Sequence, residues 1–555
     1  MTRDEWFAAL PPHDAPLLPW VVEGMLLWDD VGVMGSALKD AAHAVLNFDL
    51  ARSERLARAL IALGEHTERE ELVALGEMAW GDALRLQMRL DEGYELLDRA
   101  AARFERIGDE LGWARTRIGW LGHIRNRPTY PTLEPIVQRA VEIFERHQCW
   151  GWLSTICYQY ARYWQVRAHR DKQLDWCLRA LQAAERIEGE EALFQPLARS
   201  LLMLLSVHYF LGHYDEAHKA LLQLLELFHG ERASGSLYVE LLNQAGHFYL
   251  MTGRYTQALY YLYEAERRAE REEQQIYTSW WIAHVYRGLN RLEESMALLT
   301  SLLERLVGRP DWTLVECDAR MLLSSVLAAQ EQWQEALDVL EPAIQVHEGL
   351  PELSAYWLSE AYQQQARLLH RLGHHETLPL LLARALRLAE ESQLDYALAE
   401  VHLLMAEMVT TPEARAQSLS SALAVCENIP WIRWRVHHLA ATLADTPAQR
   451  QSRLEQAVAD LDTVQSSLAA SFHADYLDKT ETLYHALIGS YLEQGQSALA
   501  WQTLERAKSR ALINSMMLQH EPEVQPHSPL AAELEQLQMR HYTLVKARLQ
   551  GHASW

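Results

Sequence analysis

Cysteine and histidine side chains are the first candidates for chemistry in this chain, because they serve as nucleophiles, general bases and metal ligands. The sequence has 5 cysteines and 25 histidines. The cysteines are scattered, with neither a disulfide framework nor a paired zinc spacing; they are Cys149, Cys157, Cys177, Cys317 and Cys426. The sequence also lacks a His-Glu-x-x-His motif, a phosphate-binding glycine loop and a Gly-x-Ser-x-Gly motif. We therefore expect no catalytic site, no metal site and no cofactor, and predict that the chain is not an enzyme.

Composition limits the class of protein and the class of partner. The chain has 555 residues, a net charge of −24, and 49% hydrophobic and 23% charged residues. An acidic chain does not provide the basic stripe that nucleic acids require. No run of about 18 apolar residues is present, and the N-terminus lacks the apolar region of a signal peptide. These features predict a cytoplasmic protein with neither a nucleic-acid nor a membrane partner.

The stretch from Leu241 to Glu270 has the spacing of two antiparallel helices joined by a tight turn. Its key positions are Gly246, Tyr249, Gly253, Tyr255, Ala258, Leu262 and Ala265. Gly246 allows the first helix to approach its partner closely, and Gly253 suits the turn. The order of small residue, aromatic, turn glycine, aromatic and two alanines resembles the tetratricopeptide repeat (TPR).

A small apolar residue near the end of each second helix marks an internal period along the chain. The markers are Ala59, Ala100, Ala140, Ala180, Leu224, Ala265, Leu302, Ala343, Ala385, Ala422, Ala457 and Ala507. Every step exceeds the 34 residues of a consensus TPR unit. The sequence therefore predicts an all-α, right-handed α-solenoid of about a dozen TPR-like hairpins. We expect an irregular N-terminal cap at residues 1–47, the repeat array at 48–516, and a linker and C-terminal helix at 517–555.

The C-terminal repeat carries a more specific resemblance. Tyr491, Gly495, Ala500 and Trp501 lead into the octet Glu505-Arg-Ala-Lys-Ser-Arg-Ala-Leu512. A proline-containing break at 521–529 then precedes a charged stretch at 531–549 that is expected to be helical. This arrangement resembles the last repeat and connecting helix of bacterial TPR-CHAT proteins, in which a caspase-like CHAT protease domain follows the repeats. The octet also has a simpler explanation, since basic residues favour a helix C-terminus.

The resemblance implies a function for the repeats rather than a catalytic role. TPR-CHAT proteins place their catalytic His and Cys in the domain after the repeats, so no residue of this sequence takes that role. We expect either a fragment or a natural protein that has kept only the array. The implied function is a scaffold that binds a partner protein or peptide and regulates an associated CHAT protease in a bacterial defence or signalling system. The alternative is a ligand-sensing repeat domain like those of bacterial ATP-dependent transcription regulators, whose repeats also run near 40 residues. An enzyme hidden in the N-terminal section is disfavoured because no catalytic constellation is present.

The TPR template also indicates where a partner would bind. In TPR arrays the first helices line the concave surface, and the spacing places eight residues along such a groove: Asn243, His247, Trp280, His284, Arg287, Gln363, Arg367 and His370. Hydrogen-bond donors with one aromatic side chain suit an extended peptide that carries acidic or carbonyl groups. The centre of this groove is expected at Trp280 and Arg287. An ordinary solvated surface is the alternative.

Overall fold

The described part of the chain is built from helices alone. The computed structural model describes residues 2–12, 15–46, 49–87, 89–124, 133–167, 169–211, 213–251, 255–309, 312–392, 394–409, 411–427, 429–467 and 473–519. These residues form 26 α-helices and one short 3₁₀ helix, Gly230–Arg232, with no strand among them. The predicted all-α fold is confirmed. None of the described helices is long and apolar enough to cross a membrane.

The helices follow one another with short connections. Their bounds are α1 Arg3–Ala8, α2 Leu18–Met25, α3 Val31–Val45, α4 Leu50–His66, α5 Glu70–Leu86, α6 Leu90–Ile107, α7 Glu110–Ile124, α8 Leu133–Arg146, α9 Trp150–Val166, α10 Arg170–Ala184, α11 Glu190–Phe210, α12 Tyr214–Leu227, α13 Gly235–Met251, α14 Tyr255–Arg268, α15 Glu272–Gly288, α16 Leu292–Leu306, α17 Thr313–Ala329, α18 Trp333–Glu348, α19 Pro351–Arg371, α20 Leu378–Ser392, α21 Asp395–Met408, α22 Pro412–Val425, α23 Pro430–Ala441, α24 Pro447–Ser467, α25 His473–Glu493 and α26 Ser497–Gln519.

The chain divides into two compact units. Unit 1 comprises the described residues of Met1–Leu227, Arg309–Asp311 and His347–Leu358. Unit 2 comprises those of Phe228–Gly308, Trp312–Val346 and Ser359–Trp555. Unit 1 therefore holds α1 to α12 together with the end of α18 and the start of α19, and unit 2 holds the rest of the series that starts at α13.

The predicted period matches the helices. All twelve marker residues lie on even-numbered helices from α4 to α26, so each marks the second helix of a hairpin. Eleven of them, Ala59 to Ala457, are buried. Within α13, Gly246 faces α14 so closely that an added Cβ would lie 2.5 Å from Leu262 Cγ. An added Cβ at Gly81 of α5 would likewise lie 2.8 Å from Leu97 Cγ of α6. Gly253 lies outside the described residues.

Buried serines join the two helices of some hairpins. Ser154 Oγ of α9 donates to the carbonyl of Ala180 in α10 at 2.9 Å. Ser359 Oγ of α19 donates to the carbonyl of Ala385 in α20 at 2.8 Å. In both hairpins donor and acceptor are 26 residues apart, and the acceptor is a marker alanine. The small side chain leaves room for the hydroxyl to reach the carbonyl, which satisfies a buried polar group.

The N-terminal helices α1 and α2 are joined by a pair of tryptophans. The rings of Trp6 and Trp20 stack with centroids 3.9 Å apart. Trp6 Nε1 donates to the Trp20 carbonyl at 3.0 Å, and Trp20 Nε1 donates to the Trp6 carbonyl at 3.1 Å. Both rings are buried, so each indole has its N–H satisfied while its apolar surface is removed from water.

Helix α26 contains the octet that resembles the TPR-CHAT connection. Arg506 within it pairs with Asp462 of α24, and Tyr491 of α25 donates to Glu455 of α24 at 2.9 Å. Both contacts fasten the last hairpin to the one before it. The octet therefore has a structural role in the array. The proline-containing break and the helix expected at 531–549 lie outside the described residues.

Matched glycine substitutions test the close approach within the hairpins. Gly246→Ala should lower the free energy of unfolding by about 1–3 kcal/mol, because its Cβ would overlap Leu262. Gly489→Ala in α25 should instead be neutral or stabilising by about 0.4–1 kcal/mol, since no described atom lies within 4 Å and alanine restricts the unfolded chain. Urea unfolding of both variants measures the two effects. Equal changes in stability would contradict the packing of α13 on α14.

Candidate functional site

The residues expected to line a groove lie on α13, α15 and α19 of unit 2. Together with α17, these are the first helices of four consecutive hairpins. Thr278 Oγ1 of α15 donates to Asn243 Oδ1 of α13 at 2.9 Å. Gln364 Nε2 of α19 donates to Ser324 Oγ of α17 at 2.9 Å. We call the surface formed by the polar side chains of α13, α15, α17 and α19 the unit 2 face.

Three of the eight expected residues are buried within this layer of helices. Asn243 is held by Thr278, and the His247 ring stacks on Trp281 with centroids 3.6 Å apart. Gln363 Nε2 lies 3.5 Å from Ser359 Oγ. Asn243 and His247 thus connect α13 to α15, whereas Gln363 contacts its own helix, and all three have little surface left for a partner.

Trp280 and His284 are half-buried and form the aromatic part of the face. Their rings meet edge to face at 4.6 Å, and Trp281 lies 4.3 Å from Trp280. Neither Trp280 Nε1 nor His284 Nε2 meets a hydrogen-bond partner in the described part of the chain. Burial, together with the nearby charge of Arg287, lowers the pKa of His284 to about 3, so the ring is neutral at physiological pH.

Arg287 lies one turn beyond His284 on α15 and is exposed to water. Burial nevertheless lowers its pKa, and the charges of Glu360 and Tyr255 oppose that change. The guanidinium is therefore reached by water although protein lies close enough to disfavour its charged form. No carboxylate of the described residues lies within ion-pair distance of it. A guanidinium in this position can bind a carboxylate or a carbonyl group of a partner.

Two carboxylates complete the face, and sequence reasoning missed both. Asp318 of α17 is half-buried and Glu360 of α19 is exposed. Burial, together with the negative charge of Glu360, raises the pKa of Asp318 from its usual 3.8 to about 8. Asp318 makes neither a hydrogen bond nor an ion pair with any described residue. Asp318 and Glu360 follow Arg287 by 31 and 73 residues. No sequence pattern indicated either of them, since single acidic residues on a helix are usually solvated.

Arg367 and His370 lie further along α19. Arg367 donates to Glu407 of α21 at 3.0 Å and lies 3.9 Å from Glu400. Arg435 of α23 pairs with the same Glu400. His370 is exposed at the end of α19, with its ring 5.1 Å from that of His375. Arg367 is thus committed to a ladder of ion pairs, whereas Arg287 is not.

The unit 2 face combines an aromatic pair, a cation and two carboxylates within four first helices. Arg287 suits a carbonyl or carboxylate, Trp280 offers an apolar surface, and the Asp318–Glu360 pair suits a cation. Such a combination of groups can contact a ligand that carries both positive and negative charges. It does not include an activated nucleophile.

The cysteines have the properties of core residues. Cys157, Cys177, Cys317 and Cys426 are buried free thiols, and Cys149 is half-buried. Burial raises the pKa of Cys157 and Cys317 to about 12 and that of Cys426 to about 11; it also raises the pKa of Cys177. A thiol that stays protonated is a poor nucleophile.

Comparisons with known proteins find similar solved structures but no family. No family model matches the chain, and no curated protein matches it. Similar solved structures include a Rap protein complexed with competence and sporulation factor (13% identity, TM-score 0.45, covering 65% of this chain and 98% of that one). Another is the apo form of the quorum sensor NprR from B. thuringiensis (16% identity, TM-score 0.45, covering 65% of this chain and 99% of that one). A third is the apo form of RapI (13% identity, TM-score 0.36, covering 65% of this chain and 98% of that one). A likeness at these values carries no information about what this chain binds.

Asp318 predicts a specific pH dependence of stability. The pKa of Asp318 is higher in the folded than in the unfolded chain. Its favourable contribution to the free energy of unfolding is therefore fully present below pH 4 and is lost as pH rises to about 8. Glu360 of α19 is the charged group that acts on Asp318, and it acts on Arg287 of α15 as well. Asp318→Asn should therefore raise the melting temperature relative to wild type by an amount that grows between pH 5 and pH 9.

The exposed Asp338 of α18 provides the control. Asp338→Asn should keep the wild-type dependence on pH, and Glu360→Gln should weaken it by removing the repulsion. A constant difference between Asp318→Asn and wild type over this range would show that the carboxyl is already ionised at neutral pH.

Proposed function

We propose that the unit 2 face binds an extended peptide segment of a partner protein, and that the segment carries a basic side chain. The observation that carries the proposal is Asp318, a half-buried carboxyl that makes neither a hydrogen bond nor an ion pair with a described residue and lies within the electrostatic influence of Glu360. A basic side chain placed between the two carboxylates would let Asp318 ionise, turning an unfavourable burial into an ion pair. Arg287 and Trp280 would hold the neighbouring carbonyl groups and apolar side chains of the peptide.

This proposal refines the expected ligand. The sequence indicated a peptide with acidic or carbonyl groups, and Arg287 still suits those groups. The carboxylate pair adds a requirement for a cation near them. Ionisation of Asp318 on binding would release a proton, so affinity should rise with pH up to about 8.

Selection from a random nonapeptide library tests the proposal. Among the peptides retained by the chain, those that the Asp318→Asn variant fails to retain should be enriched in lysine or arginine. Trp280→Ala and Arg287→Ala should each weaken binding of a selected peptide at least about tenfold, as expected for aromatic and arginine hot spots. Asp318→Asn should reduce binding of the basic peptide but not of its lysine-to-glutamine version.

A matched control separates binding from folding. Arg387 on the second helix α20 is exposed and lies 3.7 Å from Glu391, so Arg387→Ala should leave affinity unchanged. Circular dichroism should show the same helical content in all variants. Undiminished affinity in both Trp280→Ala and Arg287→Ala would exclude the unit 2 face as the binding surface.

We further propose that, within a TPR-CHAT protein, occupancy of the array regulates a caspase-like CHAT domain. The support is the sequence from Tyr491 to Leu512 together with its place in the fold. Helix α26 continues to Gln519. Trp501 and Leu499 near its start are 61% and 41% exposed, and Leu492 at the end of α25 is 57% exposed. Exposed apolar side chains of this size often mark a protein interface.

Reading the gene downstream of the codon for Trp555 tests this association directly. A CHAT coding region there would support it, and peptide cleavage by the longer product should change when the selected nonapeptide is added. Trp501→Ala should uncouple cleavage from the peptide without weakening peptide binding. A nucleotide-binding or helix-turn-helix module in the gene would instead favour the ligand-sensing regulator.

A further inference from the structure

The first helices of unit 1 carry a second charged surface. This surface is positively charged, whereas the chain as a whole has a negative net charge. Helices α3, α5, α7, α9 and α11 each place one cation on it, although the net charge of the chain is −24. The cations are Lys39, Arg85, Arg115, Arg162 and Arg199. None of the five forms an ion pair with a carboxylate of the described residues. We call this surface the unit 1 track.

Two glycines of α7 make room for charged side chains of α5. An added Cβ at Gly119 would lie 2.4 Å from Asp82 Oδ1, and one at Gly122 would lie 2.7 Å from Arg85 Cδ. Asp82 and Arg85 are three residues apart, as are the two glycines, so the pairs match in register. Charged side chains thus lie directly against the backbone of the next first helix.

The cations continue from α7 to α11. The Arg115 guanidinium lies over the Trp152 ring of α9 at 4.5 Å, and that of Arg162 lies 5.9 Å from the Tyr158 ring. Burial lowers the pKa of Arg85, Asp82 opposes the change, and Arg162 and Arg199 lower it further. Arg85 is therefore close enough to Arg162 of α9 and Arg199 of α11 to be repelled by both.

A cavity of about 300 Å³ lies between α9 and α11 at the end of the track. Its lining is mostly polar and consists of Ser154, Thr155, Tyr158, Glu191, Ala192, Gln195, Pro196 and Arg199. Pro196 lies inside α11 and has no N–H, so it cannot donate to the carbonyl of Ala192. The cavity therefore offers a guanidinium to an anion and a main-chain carbonyl to a hydrogen-bond donor.

Carboxylates on the track are fewer than cations. Asp82 faces Arg85, Arg115, Lys39 and His43, and burial raises its pKa against their influence. Asp40 adjoins Lys39, and Glu191 lines the cavity. Asp109 caps α7 by accepting from the amide of Gly112 at 2.8 Å. Repulsion among the arginines remains, and an anionic ligand would relieve it.

We propose that the unit 1 track binds an acidic peptide segment in extended conformation. Adjacent packed helices lie about 8–10 Å apart, so α5 to α11 spans about 24–30 Å. An extended chain of about eight or nine residues covers that length. Guanidinium groups bind carboxylates through paired hydrogen bonds, and the Ala192 carbonyl suits a peptide N–H. A single-stranded nucleic acid fits less well, because Asp82 and Glu191 would face its phosphates.

Fluorescence anisotropy with a defined probe tests the proposal. The probe is a fluorescein-labelled nonapeptide with glutamate at every second position and glycine between, and its glutamine version is the matched ligand. The glutamate peptide should bind at least tenfold more tightly than the glutamine peptide, and the difference should shrink at high salt. Long-range repulsion from a chain of net charge −24 opposes non-specific binding of this probe.

Variants locate the site and control for misfolding. Arg162→Gln and Arg199→Gln should each weaken binding at least fivefold, whereas Arg179→Gln on the outward second helix α10 should not. Asp82→Asn should strengthen binding at least twofold, an effect that loss of structure cannot produce. These substitutions in unit 1 should leave binding of the basic peptides selected at the unit 2 face unchanged.

Three outcomes would overturn the proposal. The first is equal affinity for the glutamate and glutamine peptides. The second is a loss of binding in Arg179→Gln as large as that in Arg162→Gln and Arg199→Gln. The third is displacement of the probe by a single-stranded oligonucleotide of nine thymidines at lower concentration than by unlabelled glutamate peptide, which would assign the track to nucleic acid.

Discussion

Close contact between the two helices of each hairpin is the constraint on which the rest of the structure depends. A hairpin of two short helices has little apolar surface of its own, so the helices must approach closely to bury it. Gly246 against Leu262 and Gly81 against Leu97 show how this is achieved. The buried marker alanines serve the same purpose on the second helices. A larger side chain at these positions would separate the pair and disturb the next hairpin as well.

This packing leaves the first helices with a free side. Small residues face the hairpin partner, and the opposite side carries large polar and aromatic groups. In unit 1 that side collects arginines, with Gly119 and Gly122 admitting the side chains of Asp82 and Arg85. In unit 2 it collects a tryptophan pair, one arginine and two carboxylates. The same backbone arrangement therefore supports two surfaces of different chemistry.

Partial burial gives these surfaces their properties. Arg287 and Asp318 are reached by water, yet surrounding protein shifts the pKa of each towards its neutral form. In a fully solvated position the same groups would interact weakly with a partner because water screens them. In a partly buried position some of the desolvation has taken place during folding, so a complementary charge gains more on binding.

The sequence by itself determined the class of fold, the number of hairpins and the identity of their second helices. These features repeat along the chain and depend on contacts between nearby residues, so the period from Ala59 to Ala507 was sufficient. It also placed Trp280, His284 and Arg287 on one helical side, because residues three or four apart share a side. Only the tertiary structure decided that Asn243, His247 and Gln363 are buried. It also brought Glu360 of α19 within electrostatic influence of both Arg287 of α15 and Asp318 of α17. Which polar residues of different hairpins meet depends on the register of one helix against the next, and that register follows from packing along the whole array.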